Sequence, residues 1–150
     1  RQAMYRALFG GHETNDELGL DYRVTFGGGL GRYLIDTNNS TLNVSIGLQG
    51  LQERSIGGEE QQSLEAVLQA DFARWRFDTP ELDLRFGGQL YPSLTESGRV
   101  RADTNARLRW ELFNDLYWDF SAWGSYDSSA VDEEAGEFDW GVTTGVGWDF

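Results

Sequence analysis

The stretch that decides the fold runs from Val100 to Leu112, VRADTNARLRWEL. Val100, Ala102, Thr104, Ala106, Leu108, Trp110 and Leu112 share one parity. Arg101, Asp103, Asn105, Arg107, Arg109 and Glu111 share the other. Successive side chains of a strand point to opposite faces, so this spacing makes one apolar and one ionic face. Wound as a helix, the same residues would scatter around the whole circumference. The arginine-rich segment is therefore read as a strand.

The same period of two extends along the chain in both directions. From Glu17 to Phe26, Leu18, Leu20, Tyr22, Val24 and Phe26 oppose Glu17, Gly19, Asp21, Arg23 and Thr25. Leu30 and Leu34 keep that parity, with Gly27-Gly28-Gly29 allowing a bend. Leu42–Leu48, Leu64–Phe72, Leu82–Phe86, Leu116–Ala122 and Phe138–Phe150 alternate likewise. Connectors alternate in length. Short ones fall at 36–40, 78–80 and 113–115; longer ones fall at 11–16, 53–62, 92–97 and 127–137. This predicts about eight strands, 1–11, 17–35, 41–52, 62–77, 81–91, 98–112, 116–126 and 137–150, in a single domain of residues 1–150. The first is poorly patterned. Arg74 and Arg76 break the apolar parity of theirs, which calls for snorkelling, a bulge or an earlier turn.

Composition agrees with a chain made mostly of strands. Gly is 19 of 150, aromatics make up 14%, and there are only two Pro. The absence of cysteine excludes disulfides and thiolate metal sites. A formal charge of −13, from 25 acids and 12 bases, argues against nucleic acid as a partner. No run approaches the roughly 18 apolar residues of a membrane helix. The mean hydropathy of −0.51 does not exclude a barrel, whose strands expose only alternate residues to lipid. The chain opens on Arg1 and carries no visible signal peptide, as a mature or trimmed product would.

An alternating strand can point its apolar face into a soluble core or out to lipid. Three features favour lipid. The polar face is rich in charge and in glycines such as Gly19, Gly47, Gly87, Gly141, Gly145 and Gly147, which would make room for arginines in a narrow interior. Trp110, Trp118 and Trp148 fall toward one rim, with Phe138 and Trp140 toward the other, as in paired aromatic girdles. The apolar face is aliphatic to small at mid-strand. The expected fold is thus all-β: a transmembrane antiparallel up-and-down β-barrel in a bacterial outer membrane, with both termini periplasmic.

The segments Leu20-Asp21-Tyr22-Arg23 and Gly29-Leu30-Gly31-Arg32-Tyr33-Leu34-Ile35-Asp36-Thr37 resemble the DUF481 family of outer-membrane proteins, some described as salt-stress-induced. Leu90-Tyr91-Pro92-Ser93-Leu94 is similar to a further motif of that family. The resemblance covers roughly residues 15 to 150 and implies location and fold more than activity. Trp148-Asp149-Phe150 resembles the aromatic C-terminal signal read by the barrel-assembly machinery, with Phe150 as its last residue. Family members usually carry further strands before the point matching Arg1. The resemblance therefore also implies a barrel of about twelve strands, in which the first and last strands here would not pair.

No catalytic constellation stands out. His12, the one histidine, is placed in a loop beside Glu13, with no serine at a spacing that suggests a dyad. Asp127, Asp132, Glu133, Glu134 and Glu137 lack the spacing of a calcium loop and read as a solvated loop, as do Glu59 and Glu60. Gly27–Gly31 lacks the Lys-Ser/Thr and helix of a phosphate loop. The candidate site is the interior charge set: Arg23, Glu65, Asp71, Asp83, Arg85, Arg101, Asp103, Arg107, Arg109 and Asp119, with Asp21 and Glu111. It reads either as a paired plug or as the lining of a pore. The functional expectation is a non-enzymatic envelope scaffold without cofactor or metal. Its partners would be outer-membrane lipid and lipopolysaccharide, the assembly machinery and other envelope proteins. The alternatives are a small channel, an outer-membrane enzyme or a soluble β-sandwich.

Overall fold

A computed structural model describes residues 4–15, 20–55, 57–58, 60–128 and 138–148. They form eight strands: β1 (Met4–Asn15), β2 (Leu20–Asp36), β3 (Ser40–Ser55), β4 (Glu60–Arg76), β5 (Leu82–Pro92), β6 (Val100–Phe113), β7 (Leu116–Asp127) and β8 (Phe138–Trp148). All belong to one sheet in chain order, each antiparallel to the next. Every strand read from the alternation is present within a few residues. His12 lies inside β1 opposite Val24, not in a loop. The Gly27–Gly31 run imposes no register shift on β2.

The registers pair odd residues with odd and even with even along most of every ladder. One face of the whole sheet is therefore built from odd-numbered side chains and the other from even-numbered ones. Turns hold this register. Asn114 and Asp115, both at positive φ, make the two-residue hairpin between β6 and β7, the twist-matched type that Asn and Asp tolerate. Between β2 and β3, the Ser40 backbone N–H donates to Thr37 Oγ1 at 3.0 Å, and Thr37 N–H donates to the Ser40 carbonyl at 2.9 Å. Register shifts occur only near strand ends, such as Glu13/Asn15 and Tyr33/Ile35. The short connectors and both ends of the described chain lie at the same end of the sheet.

The sheet curls toward its odd face. Odd side chains bond across an intervening strand: Tyr5 of β1 donates to Asn43 of β3 at 3.0 Å, and Arg101 of β6 donates to Glu65 of β4 at 2.7 Å. Adjacent strands lie about 4.8 Å apart, so contacts that skip a strand need a concave surface. The sheltered side is the ionic one: Glu65 is 1% exposed, and Gln49 and Glu111 are also buried. The bare side is the apolar one. Leu68 is 41% exposed, Ile46 60% and Val142 51%. A soluble sheet has the opposite polarity.

Two expectations need correction. Among the described residues β1 pairs only with β2 and β8 only with β7, so the sheet is open and the eight-strand closure does not occur. The odd face carries Tyr5, Tyr33, Trp75, Tyr91, Tyr117 and Trp123 as well as its arginines. An eight-strand interior is only just wide enough for side chains, and these rings would have to share it with the arginines. Second, the described odd-face glycines are not pressed against arginines: Gly47 faces the backbone of β2, Gly87 faces Asn105 and Asp71, Gly145 and Gly147 face open space, and Gly31 and Gly141 make room for aromatic rings. A Cβ at Gly31 would lie 2.2 Å from Tyr5 Cζ, and one at Gly141 2.5 Å from Trp123 Nε1.

Candidate functional site

The concave face divides into three levels along the strands. At the long-loop end, Glu65 accepts from Arg101 through both oxygens (3.1 and 2.7 Å) and from Gln49 Nε2 at 2.7 Å. The Arg101 guanidinium lies 5.0 Å from the Tyr91 ring centroid. A buried carboxylate is tolerated when it is paired and hydrogen-bonded, and here both oxygens accept and three bonds are made. The Tyr91-Pro92-Ser93-Leu94 segment shelters this group. Ser93 bridges to Glu65 in the β4–β5 register, interrupted at Pro92, which has no N–H to give the ladder. Leu94 N–H then donates to the Leu64 carbonyl at 2.7 Å, and Leu64 N–H donates to Thr95 Oγ1 at 3.1 Å. In the same loop Arg99 donates to Glu96 and Asp127, each at 3.1 Å. Burial alone would lower the pKa of Arg99, but its bonds to the two carboxylates outweigh that and hold it above the ordinary arginine value.

At the short-loop end a second group ties the turns together. Buried Glu111 accepts from the backbone N–H of Glu81 at 2.8 Å and of Asp115 at 3.4 Å. Tyr117 donates to Glu81 at 3.1 Å, and Arg109 stacks on the Tyr117 ring at 4.5 Å while lying 3.7 Å from Asp119. Arg76 donates to the Pro80 carbonyl at 2.9 and 2.6 Å. That accounts for its break in parity without a bulge.

Between them the face is open. Arg85 on β5 stands directly opposite Arg107 on β6, which stands opposite Ser121 on β7, which stands opposite Thr143 on β8. Arg85 is held by Asp83 at 2.9 and 3.1 Å. Arg107, by contrast, makes no hydrogen bond or ion pair among the described residues. A hollow of about 500 Å³ is lined here by Arg107, Arg109, Asp119, Ser121, Thr143 and Gly145, together with Phe120 and Thr144 of the other parity. A Cβ at Gly145 would meet nothing within 4 Å.

The charge set read from the sequence thus separates by partner. Glu65 joins Arg101, Asp83 joins Arg85, and Asp119 faces Arg109. Arg23 pairs with Glu53 at 3.0 Å, a residue the alternation did not single out. Asp103 accepts from Ser125 at 2.8 Å and Asp71 from Gln69 at 2.6 Å, both neutral partners. Gln49, Tyr91, Glu81 and Tyr117 were missed. A polarity pattern ranks residues by charge, whereas these four act by reach and by ring faces. On the convex face, Trp110 is the cross-strand partner of Trp118, and Leu116, two residues along from Trp118, is that of Trp148. Phe138 and Trp140 lie toward the opposite end of β8, Trp140 63% exposed. Trp148 and Trp140 are separated by ~27 Å along the strand at ~3.4 Å per residue. The described residues contain no group of three or more metal-ligating side chains. Phe150, Asp21, Glu59 and the acidic run after Asp127 lie outside the described residues or side chains.

These features define a class: an all-β, up-and-down antiparallel sheet that shelters its ionic face and bares its apolar one. The family model described as "Protein of unknown function, DUF481" matches residues 2–150, and the chain belongs to that family. The match takes in the weakly patterned first strand as well as the segments that carried the resemblance. No curated protein and no solved structure matches the chain.

Proposed function

We propose that this chain forms part of the wall of a bacterial outer-membrane β-barrel. Its convex face lies against lipid, its short turns and both termini are periplasmic, and it serves the envelope as a non-enzymatic structural or scaffold element. The observation that carries this reading is the inverted polarity. Trp110, Trp140, Trp148, Val142, Val146 and Leu68 are bare on one face while Glu65, Gln49 and Glu111 are buried on the other. Water penalises an apolar surface of that extent, whereas hydrocarbon accepts it. Hydrocarbon also leaves no strand edge unpaired, so the reading requires further strands between β8 and β1, as in a barrel of about twelve. Lipid and lipopolysaccharide would face the convex side, and the assembly machinery would read the aromatic C-terminus.

The test is the behaviour of the protein expressed with an outer-membrane signal. Sedimentation with outer membranes, extraction only by detergent and faster gel migration before boiling are expected. Soluble recovery without detergent, with identical migration before and after boiling, overturns the reading. A second reading, a channel for small ions or solutes, is favoured by one observation, the uncompensated Arg107 beside an open hollow. Charged rings on a wide interior select ions. Conductance steps in a planar bilayer support it, and silence after stable insertion counts against it.

A further inference from the structure

We propose that the row Arg107, Ser121 and Thr143, with Arg85 facing it from β5, is a binding site for a small oxyanion on the concave face. Like charges directly opposite each other on a sheet repel, and such a pair is ordinarily relieved by a counter-charge on each member. Arg85 has its relief in Asp83, which grips it with two bonds. Arg107 has none among the described residues. Ser121 and Thr143, its successive neighbours across β7 and β8, are exposed and point from the same face. They add two hydroxyls that can donate. The four side chains span ~15 Å at ~4.8 Å per strand.

The chemistry of the row selects the ligand class. A guanidinium presents parallel N–H donors that match two oxygens of a phosphate, sulfate or carboxylate. All 12 basic residues of this chain are arginines. The other odd-numbered arginines among the described residues are locally balanced or shielded: Arg101 by Glu65, Arg109 by Asp119 and Tyr117, Arg23 by Glu53, and Arg99 by Glu96 and Asp127. In a chain of net charge −13, an uncompensated guanidinium over an open floor at Gly145 is the local exception. The hollow of about 500 Å³ admits an anion larger than a single ion. The site rests on the geometry of β5–β8 and not on the membrane reading.

The test is calorimetric titration of the purified, folded full-length protein at low ionic strength with inorganic phosphate and, separately, acetate. Saturable binding of phosphate alone supports a tetrahedral oxyanion, and binding of both supports a ligand class that includes carboxylates. Arg107→Gln is expected to weaken binding at least tenfold. Arg107→Lys keeps the charge but loses the paired donors, and should weaken it less. The control Arg32→Gln, on the convex face, should leave binding unchanged. Should Arg107→Gln fail to fold, Arg107→Lys and the Ser121→Ala/Thr143→Ala pair carry the test. Failure of both anions to bind overturns the site, as does wild-type affinity in Arg107→Gln. Gel migration and membrane fractionation do not depend on Arg107, so loss of the site and loss of the barrel reading are separately visible.

Discussion

Two regions of one concave face use arginine in opposite ways. At the long-loop end Arg101 is sheltered, doubly bonded to a buried carboxylate and stacked on Tyr91, while the Ser93–Thr95 segment continues the pairing of β5 along the strand that carries that carboxylate. Six residues along the same strand, Arg107 faces another arginine, two hydroxyls and open space. The difference shows what a buried charge needs. Desolvation is large, so a sheltered ion persists only where it is paired with good geometry and further hydrogen bonds. An arginine kept at a half-open site without a partner is left free to meet one from solution. The first region is architecture and the second is capacity.

The contrast orders the effects of substitution. The largest is expected from Arg101→Met, which strands Glu65 in a dry environment. Unfolding in urea should show a loss of roughly 3–5 kcal/mol. A loss under ~1 kcal/mol would mean that the cluster is solvated and the contrast false. Glu65→Gln keeps the size and one acceptor while removing the charge, and should cost roughly 1–3 kcal/mol in the same measurement. Combining it with Arg101→Met should cost less than the two separately, because no bare charge remains. Arg85→Ala removes an exposed ion pair worth about 0–1 kcal/mol, with sensitivity to salt. Arg107→Gln should change stability by no more than ~0.5 kcal/mol, since it breaks no contact. A loss as large as that of Arg101→Met would reveal a structural partner for Arg107 and remove the argument for an open site.

The legibility of this fold in the sequence followed the same division. Val100–Leu112 and its counterparts declare strand structure because backbone alternation is local and exact in period. Eight strands, their order and the apolar and polar faces were all readable. His12 was not, because β1 lacks a clear alternation and its end is defined by pairing to β2. Nor were the ion pairs. Asp103 and Arg107 carry opposite charges on one face, yet Asp103 meets Ser125 and Arg107 meets Arg85 rather than each other. The assignment depends on turn lengths and bulges, which no single strand contains.

Composition and period thus determine that the chain pleats, where it turns and which side chains share a face, since each depends on residues within a strand or hairpin. The tertiary structure alone decides how far the sheet curls, that β1 and β8 stay apart, that Glu65 is reached from two strands away, and that Arg107 is not. Curvature is the sum of twist over many strands, and contacts across an intervening strand exist only once that sum is made.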